Sequence, residues 1–221
     1  ERTLKKMDPK KISSGQYTVI IENRVAGNIF SPVYQSLLGS SLYQKQSFLL
    51  DKVNKPVASP MLTVYDDPLI PSGPGSRLYD REGLAAVKRP IIENGILRNY
   101  YIDCYYGRKL DVQPTSGSSS NVVFGLGTRG MNEMTASLKK GVLITGFIGG
   151  NCNGSTGDFS YGIEGYYIEN GKIIYPVNEM NISGNMNKFL FNLVELGNDI
   201  RENESNRIPS LMFKDADLSG I

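Results

Sequence analysis

The side chains whose types could do chemistry are two cysteines, a serine-rich stretch, an adjacent pair of aspartates and the polar residues of a glycine-rich segment. No histidine accompanies them anywhere in the 221 residues. Neutral imidazole is the commonest ligand of catalytic zinc, and it is the only side chain whose unperturbed pKa lies near neutrality. Its absence excludes Ser-His-Asp, Cys-His and HExxH chemistry for this chain acting alone.

The two cysteines, Cys104 and Cys152, form neither a CxxC motif nor a metal-spaced cluster. Because two cysteines are too few for a disulfide framework, we predict two reduced thiols. Cys104 lies in a tyrosine-rich run without a helix start or clustered cations to stabilise a thiolate. We therefore predict that Cys104 is a small buried side chain and not a nucleophile.

The serines and aspartates offer no better catalytic group. Residues 116–121 read SGSSSN, which predicts a flexible polar loop without a neighbouring base. Asp66 and Asp67 could bind a cation, but adjacent residues of an extended segment point to opposite faces, so a shared site is not expected. The residues therefore predict no catalytic group, no metal site and no cofactor.

The glycine-rich segment, residues 146–162, contains six glycines and several hydrogen-bonding side chains. Its glycines allow a backbone or a ligand to approach closely, but it matches neither a phosphate loop nor a dinucleotide fingerprint. Since hairpin links are commonly about two to five residues, we predict a longer loop that faces a peptide or a partner. Its expected polar contacts are Asn153, Asp158 and Ser160; the alternative is a packed loop with a structural role only.

Length and charge limit the class to which the protein can belong. With 40% hydrophobic residues, the chain can bury the core of one large domain or two small ones. A net charge of +2, with both signs interspersed, gives no electrostatic footprint for nucleic acid or an anionic membrane. No apolar run approaches the roughly 18 residues of a membrane-spanning helix. We therefore expect a cytoplasmic protein without nucleic-acid or membrane partners.

Local patterns predict an α+β fold with a mostly antiparallel sheet, hairpins and a few short helices. Residues 17–21 and 142–146 are β-branched or apolar runs typical of buried strands, the first buried on both sides. Asn94-Gly95 and Asn170-Gly171 each predict a type I′ hairpin turn. Capping residues and apolar spacing predict three helices, at residues 31–39, 131–140 and 187–196.

Several strings, in order along nearly the whole chain, resemble the TldD/PmbA family. They are SSLYQKQSFL at 40–49, DDP at 66–68, GDFS at 157–160, GYYIENGKI at 165–173, YPV at 175–177, ISGN at 182–185 and GND at 197–199. Members of this family, also described as modulators of DNA gyrase or peptide-maturation factors, are longer. The resemblance implies that residues 1–221 form a single C-terminal domain, a fragment of a longer chain.

The resemblance also implies a branch of the family. In the TldD branch, a HExxxH helix and a later cysteine hold a zinc ion that serves hydrolysis of unfolded peptides, whereas the PmbA/TldE branch lacks these ligands and pairs with TldD. Here the corresponding helix would lie near residues 30–38, which contain no histidine, and residues 200–210 contain no cysteine. The chain thus resembles the non-catalytic subunit, with a TldD-like metallopeptidase and unfolded peptide as its partners.

Two alternatives stay open from the sequence. The first is a structural or peptide-binding homo-oligomer, such as a homodimer, without a role in hydrolysis. The second is a stand-alone hydrolase that uses Ser or Cys with a Lys or carboxylate base, although no Ser-xx-Lys motif opens a helix. Metal content and peptide hydrolysis, with and without a TldD-like partner, separate the three hypotheses.

Overall fold

The computed structural model describes residues 7–220, which form an α+β fold in which strands dominate. The strands are β1 Gly15–Ile21, β2 Val64–Asp66, β3 Arg89–Glu93, β4 Ile96–Leu97, β5 Val122–Phe124, β6 Lys140–Cys152, β7 Asp158–Glu169, β8 Lys172–Asn185, β9 Leu193–Leu196, β10 Asn206–Arg207 and β11 Leu211–Gly220. The helices are α1 Asn23–Ser36, α2 Gly39–Tyr43, α3 Cys104–Leu110, α4 Met131–Ser137 and α5 Met186–Phe189, with a 3₁₀ turn at Leu190–Asn192. Within the described range, no helix is both long and apolar enough to cross a membrane.

The longer sheet closes into a barrel. Its strands β1, β6, β7, β8 and β11 each pair with two others of the set, because β1 pairs with β6 on one side and with β11 on the other. Strand β9 adds to β11 outside this ring. Closure satisfies the backbone hydrogen bonds on both sides of the ring strands and leaves them without free edges.

Strand β1 is buried on both faces, as predicted. Val19 and Ile21 belong to the main core, whereas Ile20 belongs to a second apolar cluster that includes Met134 and Leu138 beside α4. All three strand residues have no solvent-exposed surface. The alternation of a strand's side chains therefore places one face in the core and the other beneath α4.

The shorter sheet has the order β10-β5-β2-β3-β4 and packs on α1 through the main core. Both sheets are mixed, because β1 runs parallel to β6 and β5 runs parallel to β10. This corrects the prediction of a mostly antiparallel sheet. Parallel neighbours require a long crossover, and the connection from β1 to β6 includes α1 and most of the shorter sheet, so no local turn signal reveals it.

Both Asn-Gly hairpins are confirmed. Asn94 and Gly95 have φ angles of 49° and 77° between β3 and β4, and Asn170 and Gly171 have φ angles of 49° and 74° between β7 and β8. Positive φ at both central residues is the signature of the type I′ turn. These turns could be predicted because their geometry is set by adjacent residues alone.

The predicted helix bounds were wrong in three places. The helix predicted at 31–39 is α1, which begins eight residues earlier at Asn23 and contains Pro32 in its interior. The helix predicted at 131–140 ends at Ser137, because Lys140 already pairs in β6. Of the helix predicted at 187–196, only the first part is helical, since Leu193–Leu196 forms β9. In each case tertiary packing or strand pairing overrides local propensity.

We predict that Gly171 determines the fold of the β7–β8 hairpin. A Cβ atom at Gly171 would lie 2.4 Å from the Ala136 carbonyl oxygen, so Gly171→Val adds a clash to an unfavourable φ. The strained backbone costs about 1–3 kcal/mol, and the clash adds about 1–3 kcal/mol. Urea unfolding of the variant measures this loss.

Gly83→Val is the matched control. Gly83 has a φ of 81°, similar to that of Gly171, but a Cβ there meets no atom within 4 Å. Gly83→Val should therefore lower the free energy of unfolding only through the strained backbone, without the clash that Gly171→Val adds. Equal losses in the two variants, or wild-type stability of Gly171→Val, would contradict this assignment.

Candidate functional site

A cavity of about 170 Å³ lies between α1 and the shorter sheet. We call it the α1 cleft. One face of the helix forms its floor, with residues spaced three or four apart along the chain as on one side of a helix. These floor residues are Gly27, Phe30, Ser31, Val33 and Tyr34 of α1, with Leu37 directly after the helix.

The opposite wall is apolar and aromatic. It comes from β2, β3 and β5 of the shorter sheet and from Tyr101 and Ile208. The Phe30 ring meets the Phe124 ring edge to face with centroids 4.8 Å apart, and the Tyr34 and Tyr101 ring centroids lie 5.2 Å apart. Such aromatic pairs are favourable beyond the area they bury, so the two sides of the cleft are held together by ring contacts.

Few polar groups face the cleft, and all of them are neutral. They belong to Ser31 and Tyr34 of α1, to Tyr101 and Ser119, and to Asn206 of β10. The Tyr34 hydroxyl accepts a hydrogen bond from the Ser119 N–H at 3.3 Å. The cleft therefore offers apolar contact and neutral hydrogen bonds, and its lining contains no Asp, Glu, Lys, Arg or Cys.

The cleft lies where the family resemblance would place a zinc site. Its floor comes from α1, which overlaps the predicted region 30–38, and its lining includes Asn206 and Ile208 from the late segment 200–210. Catalytic zinc takes imidazole, thiolate or carboxylate ligands, and the cleft lining contains none of these. No group of three or more such residues that could hold a metal occurs within residues 7–220. The donor set does not fit zinc.

A buried ion pair contacts Tyr101 of the cleft wall. Arg89 Nη2 is 3.5 Å from Asp66 Oδ2, and the Arg89 guanidinium carbon is 5.0 Å from the centre of the Tyr101 ring. The Ser120 N–H donates to Asp66 Oδ1 at 2.6 Å. Burial raises the pKa of Asp66 despite these contacts, and it also raises the pKa of Tyr101 well above its usual range.

Asp66 and Asp67 do not share a site, as predicted. Asp66 faces Arg89 in the interior, whereas Asp67 Oδ2 lies 3.0 Å from the Lys88 Nζ atom at the surface. Opposite orientation of neighbouring strand residues accounts for this separation. Neither carboxylate is therefore arranged with the other for cation binding.

The prediction that Cys104 is a buried side chain was wrong. Cys104 is partly exposed at the first residue of α3, after the N-cap Asp103. The interaction with the Glu82 carboxylate raises the pKa of the Cys104 thiol, which opposes a nucleophilic role. Burial raises the pKa of Cys152 to about 11.

The serine-rich stretch is an ordered loop. Ser116 and Ser120 are buried, and Asn121 has no exposed surface. The Asn121 amide accepts a hydrogen bond from the Gly75 N–H at 2.9 Å and donates to the Asp67 carbonyl at 2.8 Å. The stretch therefore holds the loop at residues 68–75 in place, a role that its polar composition did not indicate.

The glycine-rich segment is mostly strand, which corrects the prediction of a long loop. Strand β6 continues to Cys152 and β7 begins at Asp158, so the connection comprises residues 153–157. The extra glycines lie within the strands, where Gly149 and Gly150 have positive φ at a register shift. Glycine in a strand commonly marks such a bulge.

Two of the three predicted contact residues stabilise the turn between these strands. Asn153 Oδ1 accepts from the Ser155 N–H at 2.9 Å. The Asp158 carboxylate accepts from Thr156 Oγ1 and from the Asn185 amide, both at 2.7 Å, and these bonds lower its pKa. Ser160 is exposed on β7. None of the three predicted contacts lines the α1 cleft, and their binding role stays a prediction.

Known proteins have similar sequences and the same fold. The family model described as PmbA/TldA metallopeptidase C-terminal domain matches residues 14–220, and the chain belongs to this family. Metalloprotease PmbA of Escherichia coli O157:H7 is 32% identical over 99% of this chain and 49% of that protein.

Solved structures agree with this assignment. A Bacteroides thetaiotaomicron protein named as a modulator of DNA gyrase is 46% identical, with a TM-score of 0.98 over 100% of this chain and 50% of that one. TldE of Thermococcus kodakarensis has a TM-score of 0.88 at 21% identity over 98% of this chain and 53% of its own, which shows a common fold. The chain spans about half the length of these relatives.

The α1 cleft was not predicted as a site, although one signal for it was present. Phe30, Tyr34 and Leu37 follow the spacing of an amphipathic helix face, and this helix was predicted, but with bounds that omitted Gly27 and Phe30. The opposing residues come from several separate segments, and no local pattern indicates that they meet.

We predict that Arg89→Met strongly destabilises the protein, because it leaves the Asp66 carboxylate buried without its partner. Loss of one member of a buried pair costs about 3–5 kcal/mol. Arg98→Met is the control, since Arg98 Nε lies 3.1 Å from Glu93 Oε2 in a pair whose side chains are 33% and 38% exposed. A pair with this much solvent contact contributes about 1 kcal/mol or less. Urea unfolding at neutral pH compares the two variants.

The same variant should show a defined dependence on pH. The folded-state pKa of Asp66 lies above its ordinary value of 3.8, so the folded protein favours the protonated carboxyl. The contribution of Asp66 to stability is therefore fully present at pH values below its ordinary pKa of 3.8, and it is lost as the pH rises through the raised pKa. In Arg89→Met the pKa of Asp66 should rise further, because the carboxylate loses the positive charge that lowers it. The deficit of the variant should therefore shrink in acid, where Asp66 is protonated in both proteins, and a deficit independent of pH would contradict the role given to Asp66.

Proposed function

We propose that this chain is the non-catalytic PmbA/TldE-type partner of a TldD-like zinc metallopeptidase and takes part in proteolysis of unfolded peptides. The observation that carries the proposal is the chemistry of the α1 cleft. Where the metal-bearing helix of the catalytic branch would lie, α1 presents Phe30, Ser31 and Tyr34. These side chains supply neither a zinc ligand set nor a general base.

The relatives support this role to different degrees. The Escherichia coli relative carries the name metalloprotease, and the Thermococcus kodakarensis neighbour carries the name TldE. The similarity to the Escherichia coli relative supports membership among metallopeptidase-like proteins. The lack of metal ligands in the α1 cleft favours the non-catalytic branch of these proteins. Partnership with a metallopeptidase reconciles the two, because the partner supplies the metal and the hydrolytic step in the cytoplasm.

Open strand edges give the subunit a way to hold an extended peptide. The barrel strands have no free edge, whereas β10 ends the shorter sheet and β9 ends the longer one. The other end of the shorter sheet, β4, is covered by hydrogen bonds with residues 54–57. An extended peptide can add to an open edge through main-chain hydrogen bonds, which requires no catalytic side chain. Of the open edges, β10 lies at the rim of the α1 cleft through Asn206.

Reconstitution with a TldD-like HExxxH protein from the same organism tests the proposal. We expect the chain described here, without the TldD-like protein, neither to bind stoichiometric zinc nor to cleave unfolded peptides. We expect the mixture of the two proteins to cleave them, and a chelator to abolish this cleavage. The control mixture contains a TldD-like variant with the motif histidines replaced, and it should be inactive. Elemental analysis and mass spectrometry of the cleavage products provide the readouts.

Three outcomes would contradict the proposed role. Stoichiometric zinc bound by this chain would overturn the branch assignment. Chelator-resistant hydrolysis by the chain alone, abolished by one Ser or Cys substitution, would favour the stand-alone hydrolase. If a pull-down with this chain from cell extract recovers no HExxxH protein, and the chain forms a stable homo-oligomer, a structural or peptide-binding assembly would be favoured.

The β6–β7 hairpin provides a separate prediction about partner or peptide contact. Because Asp158 and Ser160 are exposed, the double variant Asp158→Ala/Ser160→Ala should remain folded, although it loses the hydrogen bonds of Asp158 with Thr156 and Asn185. We expect weaker assembly with the TldD-like partner, or slower peptide turnover by the mixture. The control is Asp217→Ala/Ser219→Ala, which changes the same residue types at the same spacing on exposed positions of β11. Unchanged assembly and turnover in the hairpin variant would leave this hairpin a structural role only.

A further inference from the structure

We propose that the α1 cleft receives a single uncharged apolar side chain, of leucine or phenylalanine size, from an unfolded peptide. The inference rests on the proposed peptide-handling function and assigns a specificity pocket to the subunit without zinc ligands. It arises from the cavity itself, whose volume, charge and rim each restrict the occupant.

The volume of the cleft matches one side chain. At about 170 Å³ it is close to the roughly 150 Å³ of an engineered apolar protein cavity that binds benzene. A phenyl ring or a branched aliphatic group therefore fits, whereas a folded protein segment does not. The aromatic floor and wall, Phe30, Tyr34, Tyr101 and Phe124, can contact such a group on several sides.

Charge complementarity restricts the occupant to a neutral group. The lining contains no Asp, Glu, Lys or Arg. The buried Arg89 guanidinium lies against the Tyr101 ring and is paired with Asp66, so it does not offer a free charge to a ligand. A charged side chain entering this space would lose hydration without gaining a partner. The cleft should therefore reject glutamate and lysine side chains.

The rim is suited to a peptide backbone. Ser31 and Asn206 are exposed, and both line the cleft. A hydroxyl and a carboxamide supply neutral donors and acceptors for peptide amides. Gly27 contributes only backbone at the floor, and a Cβ atom there meets nothing within 4 Å. This combination of an apolar interior with a neutral polar rim favours a peptide side chain over a free hydrocarbon.

Peptide binding to the protein without any metallopeptidase tests the proposal. The probes are fluorescein-labelled unstructured peptides of identical sequence except for a central Leu, Phe, Ala or Glu, and fluorescence anisotropy gives their dissociation constants. We expect the Leu and Phe peptides to bind about tenfold to a hundredfold more tightly than the Ala peptide, as burial of one large apolar side chain implies. The Glu peptide should bind no better than the Ala peptide.

Gly27→Leu should fill the cleft and remove the preference for Leu and Phe. The control is Asn28→Leu, which adds the same side chain at the next residue of α1, at an exposed position that does not line the cleft. It should keep the preference. Circular dichroism and thermal unfolding verify that each variant is folded. Ser31→Leu, at the exposed rim, replaces Gly27→Leu if that variant does not fold, and it should weaken the same preference.

The outcomes separate this proposal from the proposed function. Equal affinity for all four peptides, or an undiminished preference in the folded cleft-filling variant, overturns the side-chain pocket even if the protein activates a TldD-like partner. A preference for Leu and Phe that is lost on filling the cleft supports the pocket even if no metallopeptidase partner is activated. In that second case the proposed partnership with a metallopeptidase would be wrong, whereas the proposed side-chain pocket would be supported.

Discussion

Closure of the barrel is the constraint on which the α1 cleft depends. A single residue, Glu22, separates β1 from α1, and its N–H donates to the Ile144 carbonyl at 3.0 Å. The N–H of Asn23 donates to Ser210 Oγ at 3.1 Å, and that hydroxyl donates to Asp199 Oδ2 at 2.7 Å. These partners come from segments far apart in the chain. The helix that forms the cleft floor is therefore held in position only when β1, β6 and the segment before β11 have assembled.

The same arrangement decides which chemistry is available near the cleft. Asp66 is a buried carboxylate, but the Ser120 N–H and Arg89 already contact its oxygens. Freeing it for a ligand would leave Arg89 charged and buried without its ion-pair partner, at a cost of several kcal/mol. The cleft side of α1 offers hydroxyls and aromatic rings in place of metal ligands. Peptide binding by apolar contact is consistent with this environment, and metal-assisted hydrolysis by this chain alone is not.

Sequence patterns predicted the parts of the fold whose geometry is local. The turns at Asn94-Gly95 and Asn170-Gly171 depend on the φ angles of adjacent residues, and β1 is marked by its β-branched run. Leu193–Leu196 was assigned to a helix because its apolar spacing fits either structure, and only pairing with β11 selects the strand. Similarly, Asp66 and Arg89 meet across β2 and β3. Neither the pair nor the cleft could be inferred without knowing which strands are neighbours.

Folding stability alone does not account for the residue at position 27. Glycine within a helix costs about 1 kcal/mol relative to alanine, and at Gly27 a Cβ atom meets nothing within 4 Å. A residue with a side chain would favour the helix, and a large one would narrow the cleft. A helix-stabilising change is thus available at this position, and the chain lacks it. A cleft kept open for a ligand explains this, because features that serve binding commonly lower stability.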